Sequence, residues 1–288
     1  MEQGRKSDGF VDLHIHTTYS DGTCTPEEII ELAHKEGIQV LAITDHDEVG
    51  GLERAIKAAE KYGIKVIPGI ECGADFSSGN CHILGYNIDV NNEGIKAYSE
   101  ERQRERNLKI TKMVEKLNNL GMSITFEDVE KQSEKGSLGR PHIAMALVEK
   151  GYVTSVREAF EKYIGNGKPA YYAGRKFQPE YVINVIKNAG GIPVLAHPFQ
   201  MKFGCFEETI VAMKQLMEWG IEGVEVVYPE HSEEENYALT VFALENNLFV
   251  TCGSDFHGAN KSIKLGNCFF NRKKLSLNGL KHLGKTFV

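Results

Sequence analysis

The sequence predicts an α/β fold in which seven or eight strands close into a barrel with a helical insertion. Strand-like apolar runs alternate with amphipathic helix-like runs, which is typical of parallel strands connected by helical crossovers. The alternation stops between residues 94 and 165, where the pattern is helical, and resumes afterwards. Histidine or carboxylate residues close most of the strand-like runs. In an α/β barrel, this is the end of the strands at which active sites lie.

The first half of the predicted barrel contains four strands and two helices. The strands are expected at Phe10–Ile15, Gln39–Thr44, Lys65–Cys72 and Cys81–Ile88. The first helix begins with Thr25 as N-cap and Pro26 in the first helical position, and it stops at Gly37, as is usual for these residue types. The second helix covers Leu52–Tyr62 and is closed by Gly63.

Residues 94–165 are predicted to form a helical insertion domain, while residues 1–93 and 166–288 form the barrel domain. Its helices are expected at Ile95–Leu120, Glu127–Gln132, Pro141–Lys150 and Ser155–Tyr163. Residues 102–116 contain six Lys or Arg against two Glu. For most of these charges, a solvated helix face is the simplest interpretation.

The second half of the predicted barrel follows Gln178. Its strands are expected at Ile192–Ala196, Gly223–Tyr228 and Leu248–Gly253, with Leu265–Phe270 as a candidate last strand. The helices between them are expected at Pro179–Asn188, Phe206–Glu218 and Ser232–Asn246. Together with the first half, these strands are enough to close a barrel.

Composition narrows the class of protein and the kind of partner. Hydrophobic residues make up 41% of the 288 residues, which is ample for a packed core and argues against disorder. The net charge of −7 argues against a broad basic surface for extended duplex nucleic acid. Bound cations could supply the positive charge that an anionic substrate needs. The oligomeric state stays open.

The location is predicted from what the sequence does not contain. No apolar run approaches the length of a membrane span, and the polar N-terminal stretch does not resemble a signal peptide. The six cysteines include no C-x-x-C pair. We therefore expect a cytoplasmic protein with no membrane partner and with its cysteines as reduced thiols.

Nine side chains suited to metal binding stand at the predicted strand ends. His14 and His16 are two residues apart on a strand, so their imidazoles point to the same side. Taken singly, His82 is better explained as a half-buried histidine and Asp21 as a turn residue. Six of the ten histidines of the chain nevertheless belong to the set, which is His14, His16, Asp21, His46, Glu71, His82, His197, Asp255 and His257.

Such a set predicts a metal centre when it is considered as a whole. Nine polar groups that converge on one barrel rim would be costly to bury without a cation. Histidine and carboxylate ligands together suit zinc, iron or manganese. We therefore expect two or three divalent ions per chain.

The motifs that carry these residues resemble those of the PHP (polymerase and histidinol phosphatase) family. They occur in the same order over nearly the whole chain, as Asp12-Leu13-His14-Ile15-His16, Ser20-Asp21-Gly22, Thr44-Asp45-His46, Gly69-Ile70-Glu71, Ala196-His197-Pro198 and Gly253-Ser254-Asp255-Phe256-His257. The resemblance implies a distorted seven-stranded (β/α) barrel with a trinuclear metal centre. Within the family, the helical insertion resembles that of the nucleoside 3′,5′-bisphosphate phosphatases and 5′-to-3′ exoribonucleases. Two further runs are similar to that branch, Gly139-Arg140-Pro141-His142 and Gly167-Lys168-Pro169-Ala170-Tyr171.

The resemblance also implies how the ligands are shared among the ions. One metal would be held by His14, His16, Glu71 and Asp255. A second would be held by Glu71, His82 and His197, with Glu71 bridging, and a third by Asp21, His46 and His257. Some family members have histidine where this chain has Asp21. A harder oxygen ligand there leaves the occupancy of the third site open and favours manganese or iron.

The expected reaction is hydrolysis of a phosphate ester by a metal-bound hydroxide, without a covalent enzyme intermediate. His231 is the candidate acid for the leaving oxygen, although a solvent-facing loop histidine is an equally good interpretation. Arg140 is the candidate for holding a non-scissile phosphate or the nucleotide backbone during catalysis, because a guanidinium fork suits phosphate; the alternative role is capping of the helix that begins near Pro141. We expect His142 and Lys168 to bind substrate beside it. For Lys168, only the family resemblance favours this role over that of a solvated loop lysine.

Three functions are compatible with these features. The first is a metal-dependent phosphoesterase that either releases phosphate from 3′,5′-nucleoside bisphosphate or AMP-type nucleotides or acts as a 5′-to-3′ exonuclease on short RNA. The others are a histidinol-phosphate phosphatase and, as a non-enzyme, a metal-binding accessory module. The insertion with Arg140 favours the nucleotide, and retention of all nine candidate ligands argues against the accessory module. The expected partner is thus a small-molecule nucleotide or a short RNA.

Overall fold

The computed structural model describes residues 9–76, 79–132 and 138–288, except the side chains of residues 79 and 80. The chain divides into two compact units. One, the barrel unit, comprises the residues up to Lys96 and Phe177–Val288, and the other, the helical unit, comprises Ala97–Lys176. The helical unit extends beyond residue 165 because Ala170 belongs to its hydrophobic core and donates a backbone hydrogen bond to Tyr163.

In the described residues, the barrel unit is built on one sheet whose seven strands follow one another in chain order. Hydrogen bonds of 2.9 Å from Leu13 N to Cys252 O and from His16 N to Phe256 O join the first strand to the last. The sheet therefore closes, and the prediction of a seven-stranded α/β barrel is confirmed. The strands are β1 (Phe10–Asp12), β2 (Ile38–Ile43), β3 (Lys65–Phe76), β4 (Gly79–Tyr86), β5 (Ile192–Leu195), β6 (Gly223–Val227) and β7 (Phe249–Cys252).

The barrel is distorted by its fourth strand. β4 runs antiparallel to β3 and to β5, whereas the other neighbouring pairs are parallel. A parallel neighbour would need a crossover of a dozen or more residues, and the chain between β3 and β4 is too short for one. The expectation of parallel strands is therefore wrong for β4, which forms a hairpin with β3.

Helices follow the strands of the barrel unit much as predicted. The first, α1 (Pro26–Lys35), has the predicted cap, since Thr25 accepts a hydrogen bond from Glu28 N and Glu28 bonds back to it. The second is α2 (Leu52–Glu60). After the insertion come α7 (Pro179–Asn188), α8 (Phe206–Glu218), α9 (Glu233–Glu245) and α10 (Leu277–Leu283).

The candidate strand at Leu265–Phe270 is mostly wrong. Only Phe269–Phe270 form a strand, β8, and it pairs with β9 (Lys273–Lys274) in a separate two-stranded hairpin. The reason is that β1 and the end of β7 bond to each other, which leaves no open edge for an eighth strand.

The helical unit contains helices and no β-strand within its described residues. It contains most of α3 (Glu93–Asn119), followed by α4 (Phe126–Glu130), α5 (Arg140–Glu149) and α6 (Val156–Ala159). A single π-helical turn, Phe160–Ile164, continues α6. The buried core of the helical unit includes Met113, Leu117, Ile143, Leu147 and Ile164. Among the described residues of the whole chain, we find no helix long and apolar enough to cross a membrane.

Candidate metal centre

Barrel closure brings together the histidines after β1 and the carboxylate after β7. Asp255 N donates a hydrogen bond of 2.8 Å to His14 O, in the same ladder that pairs Ile15 with Phe256. Side chains alternate along an extended chain, so His14 and His16 share one side while Leu13 and Ile15 share the other. All four of these side chains are fully buried. The local sequence thus places two imidazoles next to Asp255.

A second stretch of backbone pairing positions His46 beside Glu71. The chain continues along β3 after β2 ends, with Glu71 N donating to Asp45 O at 3.1 Å and Asp47 N donating to Glu71 O at 2.8 Å. Glu71 and His82 lie within β3 and β4 rather than at strand ends. That part of the prediction is wrong, because the β3–β4 hairpin continues past the point at which the other strands stop.

Glu71 lies at the centre of the cluster with histidine nitrogens around both carboxylate oxygens. Oε1 is 2.9 Å from His82 Nδ1 and 3.1 Å from His197 Nε2. Oε2 is 2.9 Å from His46 Nδ1, 3.2 Å from His16 Nε2 and 3.4 Å from His14 Nε2. One buried carboxylate thus faces five of the six predicted histidines, an arrangement suited to a bridging ligand.

Asp21 completes the cluster on its more exposed side. Its Oδ1 lies 3.1 Å from His257 Nε2 and 3.7 Å from His16 Nδ1, and its Oδ2 lies 3.8 Å from His46 Nε2. The rings of His16 and His257 stack with their centroids 4.0 Å apart. The structure therefore brings all nine predicted side chains into one continuous cluster.

Several buried atoms in this cluster have no hydrogen bond within the described part of the chain. They are Nε2 of His14, Nε2 of His16, Oε2 of Glu71 and Nδ1 of His82. Each lies within 3.6 Å of a carboxylate oxygen or an imidazole nitrogen of the cluster, but none of these contacts has the geometry of a hydrogen bond. Buried polar atoms left in this way are costly, whereas a cation between them would satisfy several at once. These residues therefore fit divalent metal ions.

Among the residues that the structure describes, three ligand groups have ligand atoms that all lie within 4.8 Å of one another, which is close enough to hold an ion. The first is the set that the family resemblance implies for one metal. The second adds His16 to the implied third set, and the last contains His46 where the resemblance implies His197. The groups are His14, His16, Glu71 and Asp255, then His16, Asp21, His46 and His257, and then His46, Glu71 and His82.

Glu225 supports the cluster and was missed from the sequence. It is 0% exposed, and its Oε1 lies 3.0 Å from His14 Nδ1 while its Oε2 accepts a 2.8 Å hydrogen bond from the backbone N–H of His197. Because a carboxylate only accepts, Nδ1 of His14 carries a proton, which leaves Nε2 as the ring atom available to a cation beside Glu71. The signal was present, since Glu225 is the one charged residue in the otherwise apolar run of β6.

Three other residues, Asp45, Tyr228 and Lys261, hold the ligands in place. Asp45 accepts hydrogen bonds from Thr17 N, Thr17 Oγ1 and Ser20 Oγ at 2.6–2.7 Å, which fixes the loop that carries Asp21. Tyr228 OH at 2.9 Å and Lys261 Nζ at 2.6 Å both donate to Asp255 Oδ2. The other oxygen of Asp255 is left facing His16 Nε2 at 3.2 Å.

The electrostatics of the cluster keep its carboxylates ionised. Burial works against the charge on His16, but the neighbouring carboxylates of Asp255 and Glu71 raise its pKa to about 9. Burial likewise works to raise the pKa of Glu71, but the surrounding His46, His82 and His14 hold that pKa well below its usual range. The pKa of Asp255 is also lowered despite burial, chiefly by His14 and His16. An ionised carboxylate at the centre is the form that binds cations.

Three non-glycine residues at these strand ends have a positive φ. His197 has a φ of 26°, Asp255 a φ of 54° and Asp47 a φ of 54°. Non-glycine residues rarely adopt such conformations, which persist where the surrounding structure enforces them and which cluster at functional sites. His197 and Asp255 are both predicted ligands.

His231 lies near Tyr228 but outside the cluster. Its Nδ1 is 3.2 Å from Val226 O, and its buried Nε2 has no hydrogen bond within the described residues. Burial lowers its pKa, so the ring is neutral at pH 7. Because a carbonyl only accepts, Nδ1 carries the proton and Nε2 carries a lone pair. In this state Nε2 takes up a proton rather than giving one, so the predicted acid role would need a protonated ring.

The three predicted substrate-binding residues belong to the helical unit. Arg140 is the first residue of α5, and its Nη1 donates a 2.8 Å hydrogen bond to Asn166 Oδ1. His142 Nδ1 accepts a 3.0 Å hydrogen bond from Gly139 N. Lys168 lies in an exposed turn in which its N–H bonds to Gly165 O at 3.0 Å. Their contact with substrate stays a prediction.

Comparison with known proteins identifies the family, since residues 12–184 match the PHP domain. The chain belongs to the PHP family. It is 32% identical over 257 residues to a 5′-3′ exoribonuclease of Haemophilus influenzae, covering 88% of this chain and 92% of the relative. It is 32% identical over 250 residues to a 3′,5′-nucleoside bisphosphate phosphatase of Chromobacterium violaceum, covering 86% and 87%. These PHP proteins belong to the branch that the sequence resembles, so the resemblance is confirmed.

A solved structure supports the same assignment. A protein of Bifidobacterium adolescentis, described as a predicted metal-dependent phosphoesterase, aligns with a TM-score of 0.76 and 31% identity over 96% of this chain and 97% of its own. The PHP chain is therefore an enzyme of the metal-dependent phosphoesterase class.

Proposed function

We propose that this PHP enzyme hydrolyses phosphate esters of nucleotides in the cytoplasm, releasing phosphate from 3′,5′-nucleoside bisphosphate or AMP-type substrates and trimming short RNA from its 5′ end. The observation that carries the proposal is Glu71, whose two oxygens face five histidine nitrogens within 3.4 Å while several buried ligand atoms have no hydrogen bond within the described residues. The relatives named for RNA and for a bisphosphate nucleotide support the substrate class.

The nine clustered residues are proposed to hold two or three divalent ions of manganese, iron or zinc. His14, His16, Glu71 and Asp255 would hold the first, and Glu71, His82 and His197 the second. Asp21, His46 and His257 would hold the third. Mixed imidazole and carboxylate ligands suit these metals. Ions bound there supply Lewis-acid stabilisation of charge on the phosphoryl group and activation of water for attack.

The chain's own residues orient the ligands and the substrate. Glu225 fixes the tautomer of His14, and Tyr228 with Lys261 fixes the rotamer of Asp255, so that ligand atoms point into the cluster. Arg140 is proposed to hold a non-scissile phosphate, because its planar fork matches phosphate oxygens. His142 and Lys168 are proposed to bind the same nucleotide. His231, with its lowered pKa, is proposed to accept a hydrogen bond at Nε2 and to act as an acid only when protonated.

The experiment combines metal analysis of the purified protein with a phosphate-release screen. The screen covers mononucleotides, 3′,5′-bisphosphates, short 5′-phosphorylated RNA, histidinol phosphate and a small generic phosphate ester. We expect His14→Ala and Asp255→Ala to lose bound metal and activity while the circular dichroism spectrum stays unchanged. His282→Ala is the matched control, because His282 is exposed and lies outside the cluster.

Two results would contradict the proposal. Full activity after the metal has been stripped would remove the metal-dependent mechanism. Preference for histidinol phosphate over every nucleotide would keep the mechanism and replace the substrate class.

A further inference from the structure

The two units of the chain carry opposite charge. Within residues 97–176, the sequence has 15 Lys and Arg against 11 Asp and Glu, a net charge of +4. The whole chain has a net charge of −7, so the remaining residues carry −11. A basic unit in an acidic protein suggests that this unit meets an anion of its own.

Part of this positive charge is arranged around an aromatic ring. The guanidinium carbon of Arg140 lies 5.6 Å from the ring centroid of Tyr171, and Nζ of Lys109 lies 5.9 Å from the same centroid. Arg140 also lies 5.5 Å from the ring centroid of Phe160. Both Lys109 and Tyr171 are partly exposed. We call Lys109, Arg140 and Tyr171 the cation–tyrosine surface.

The backbone beneath this surface is fixed to the core of the unit. Lys116 donates a hydrogen bond to the carbonyl oxygen of Tyr171 and lies 6.0 Å from the ring centroid of Tyr172. Tyr172 packs against the buried core of the helical unit, whereas Tyr171 does not belong to that packed set. The Tyr171 side chain is therefore partly exposed, on a backbone that Lys116 holds in place.

Lys109 and Lys116 are seven residues apart on α3 and so share one face of the helix. Arg102 lies a further seven residues toward the N-terminus on that face. The sequence alone suggested a solvated surface for these basic residues. The positions of Lys109 beside Tyr171 and of Lys116 beside Tyr172 favour a more specific role for these two lysines.

We propose that the cation–tyrosine surface binds single-stranded RNA. Lys109 and Arg140 contact phosphates and a base packs against Tyr171, which is how sequence-independent sites for single strands combine positive charge with aromatic rings. This inference rests on the proposed function, since it names short RNA as the substrate that the helical unit retains. An acidic peptide would match the charge but would gain little from the exposed ring.

The test measures binding of a fluorescent, phosphorothioate-linked decamer of uridine to the full chain by anisotropy at several salt concentrations. Lys109→Gln removes one phosphate contact and should reduce the slope of log Kd against log salt by about 0.7. Tyr171→Leu should weaken binding by about tenfold, whereas Tyr171→Phe, which keeps the ring, should bind like the wild type.

The matched control is Lys162→Gln in the same unit. This substitution removes the same positive charge as Lys109→Gln. Lys162 is exposed, pairs with Glu158 and is not part of the cation–tyrosine surface, so the variant should keep the wild-type slope of log Kd against log salt. The inference would be overturned if Lys109→Gln and Lys162→Gln had equal slopes of log Kd against log salt and if Tyr171→Leu bound the RNA as tightly as the wild type. Competition by poly-glutamate as strong as that by RNA would also overturn it, because charge alone would then explain binding.

The proposed function is tested separately by phosphate release from a 3′,5′-bisphosphate by the wild-type protein. If Lys109→Gln and Tyr171→Leu bind RNA like the wild type while phosphate release is normal, only the proposal of the cation–tyrosine surface is refuted. Normal RNA binding without phosphate release would refute the proposed reaction.

Discussion

Replacing Glu225 by glutamine tests whether a residue that holds no metal sets the strength of the metal site. Glu225 accepts from His14 Nδ1 at 3.0 Å and from the backbone N–H of His197 at 2.8 Å, and it is 0% exposed. Glutamine has nearly the same shape but only one accepting oxygen. Its amide group would therefore face either the imidazole N–H or the peptide N–H with another donor.

The size of the effect follows from these two contacts. A buried donor left without an acceptor costs about 1–3 kcal/mol. Loss of an outer hydrogen bond to a metal-binding histidine typically weakens metal binding by about 10–100-fold. We therefore expect Glu225→Gln to weaken metal binding by about 10–100-fold, because the ring of His14 loses the carboxylate that fixes its tautomer.

The assay is competition for Zn²⁺ or Mn²⁺ with a chelator of known affinity, followed by phosphate release at saturating metal. The matched control is Glu222→Gln, because Glu222 lies three residues earlier but is partly exposed and paired with Lys187 at 3.0 Å. Excess metal should restore most of the activity of Glu225→Gln, since the substituted residue itself holds no ion. Wild-type metal affinity in Glu225→Gln would refute the reasoning.

Three further substitutions test other parts of the site. Arg140→Ala should reduce kcat/KM for nucleotides much more than for a small generic phosphate ester, and equal losses on both would remove Arg140 from substrate recognition. Tyr228→Phe should weaken metal binding by about tenfold, measured by the same chelator competition, because Asp255 Oδ2 keeps only Lys261; an unchanged affinity would show that Lys261 suffices. Asp45→Asn should destabilise the protein by about 1–3 kcal/mol, seen as a lower Tm, because the donors of the Asp21 loop lose an acceptor; an unchanged Tm would contradict this.

Local spacing made the predicted ligands visible in the sequence. His14 and His16 two residues apart on a strand necessarily share a side, and the structure places them 5.2 Å apart between ring centroids. The helix start at Thr25 and Pro26 could be predicted for the same reason, since a cap depends on residues within one turn of the helix. Where a structural feature depends on a few neighbouring residues, the sequence pattern was sufficient.

Features that depend on distant pairing were not predictable in this way. The antiparallel direction of β4 is an exception, because the eight residues between the predicted strands Lys65–Cys72 and Cys81–Ile88 are too few for a parallel crossover. Glu225 looks like an isolated charge in an apolar strand until the fold sets it against His14, 211 residues away in the chain. The sequence likewise does not show that Lys109 on α3 lies beside Tyr171, because the two residues are 62 positions apart and only the fold brings them together.

Closing the barrel and assembling the metal centre are the same structural event. The hydrogen bond from Asp255 N to His14 O joins the two ends of the sheet, and the side chains of those residues are neighbours in the cluster. Burying ligand atoms without hydrogen bonds therefore destabilises the contact between the first and last strands, and a bound metal ion would remove this destabilisation. It follows that metal content and resistance to unfolding should rise and fall together, even for substitutions along this contact that touch no ligand.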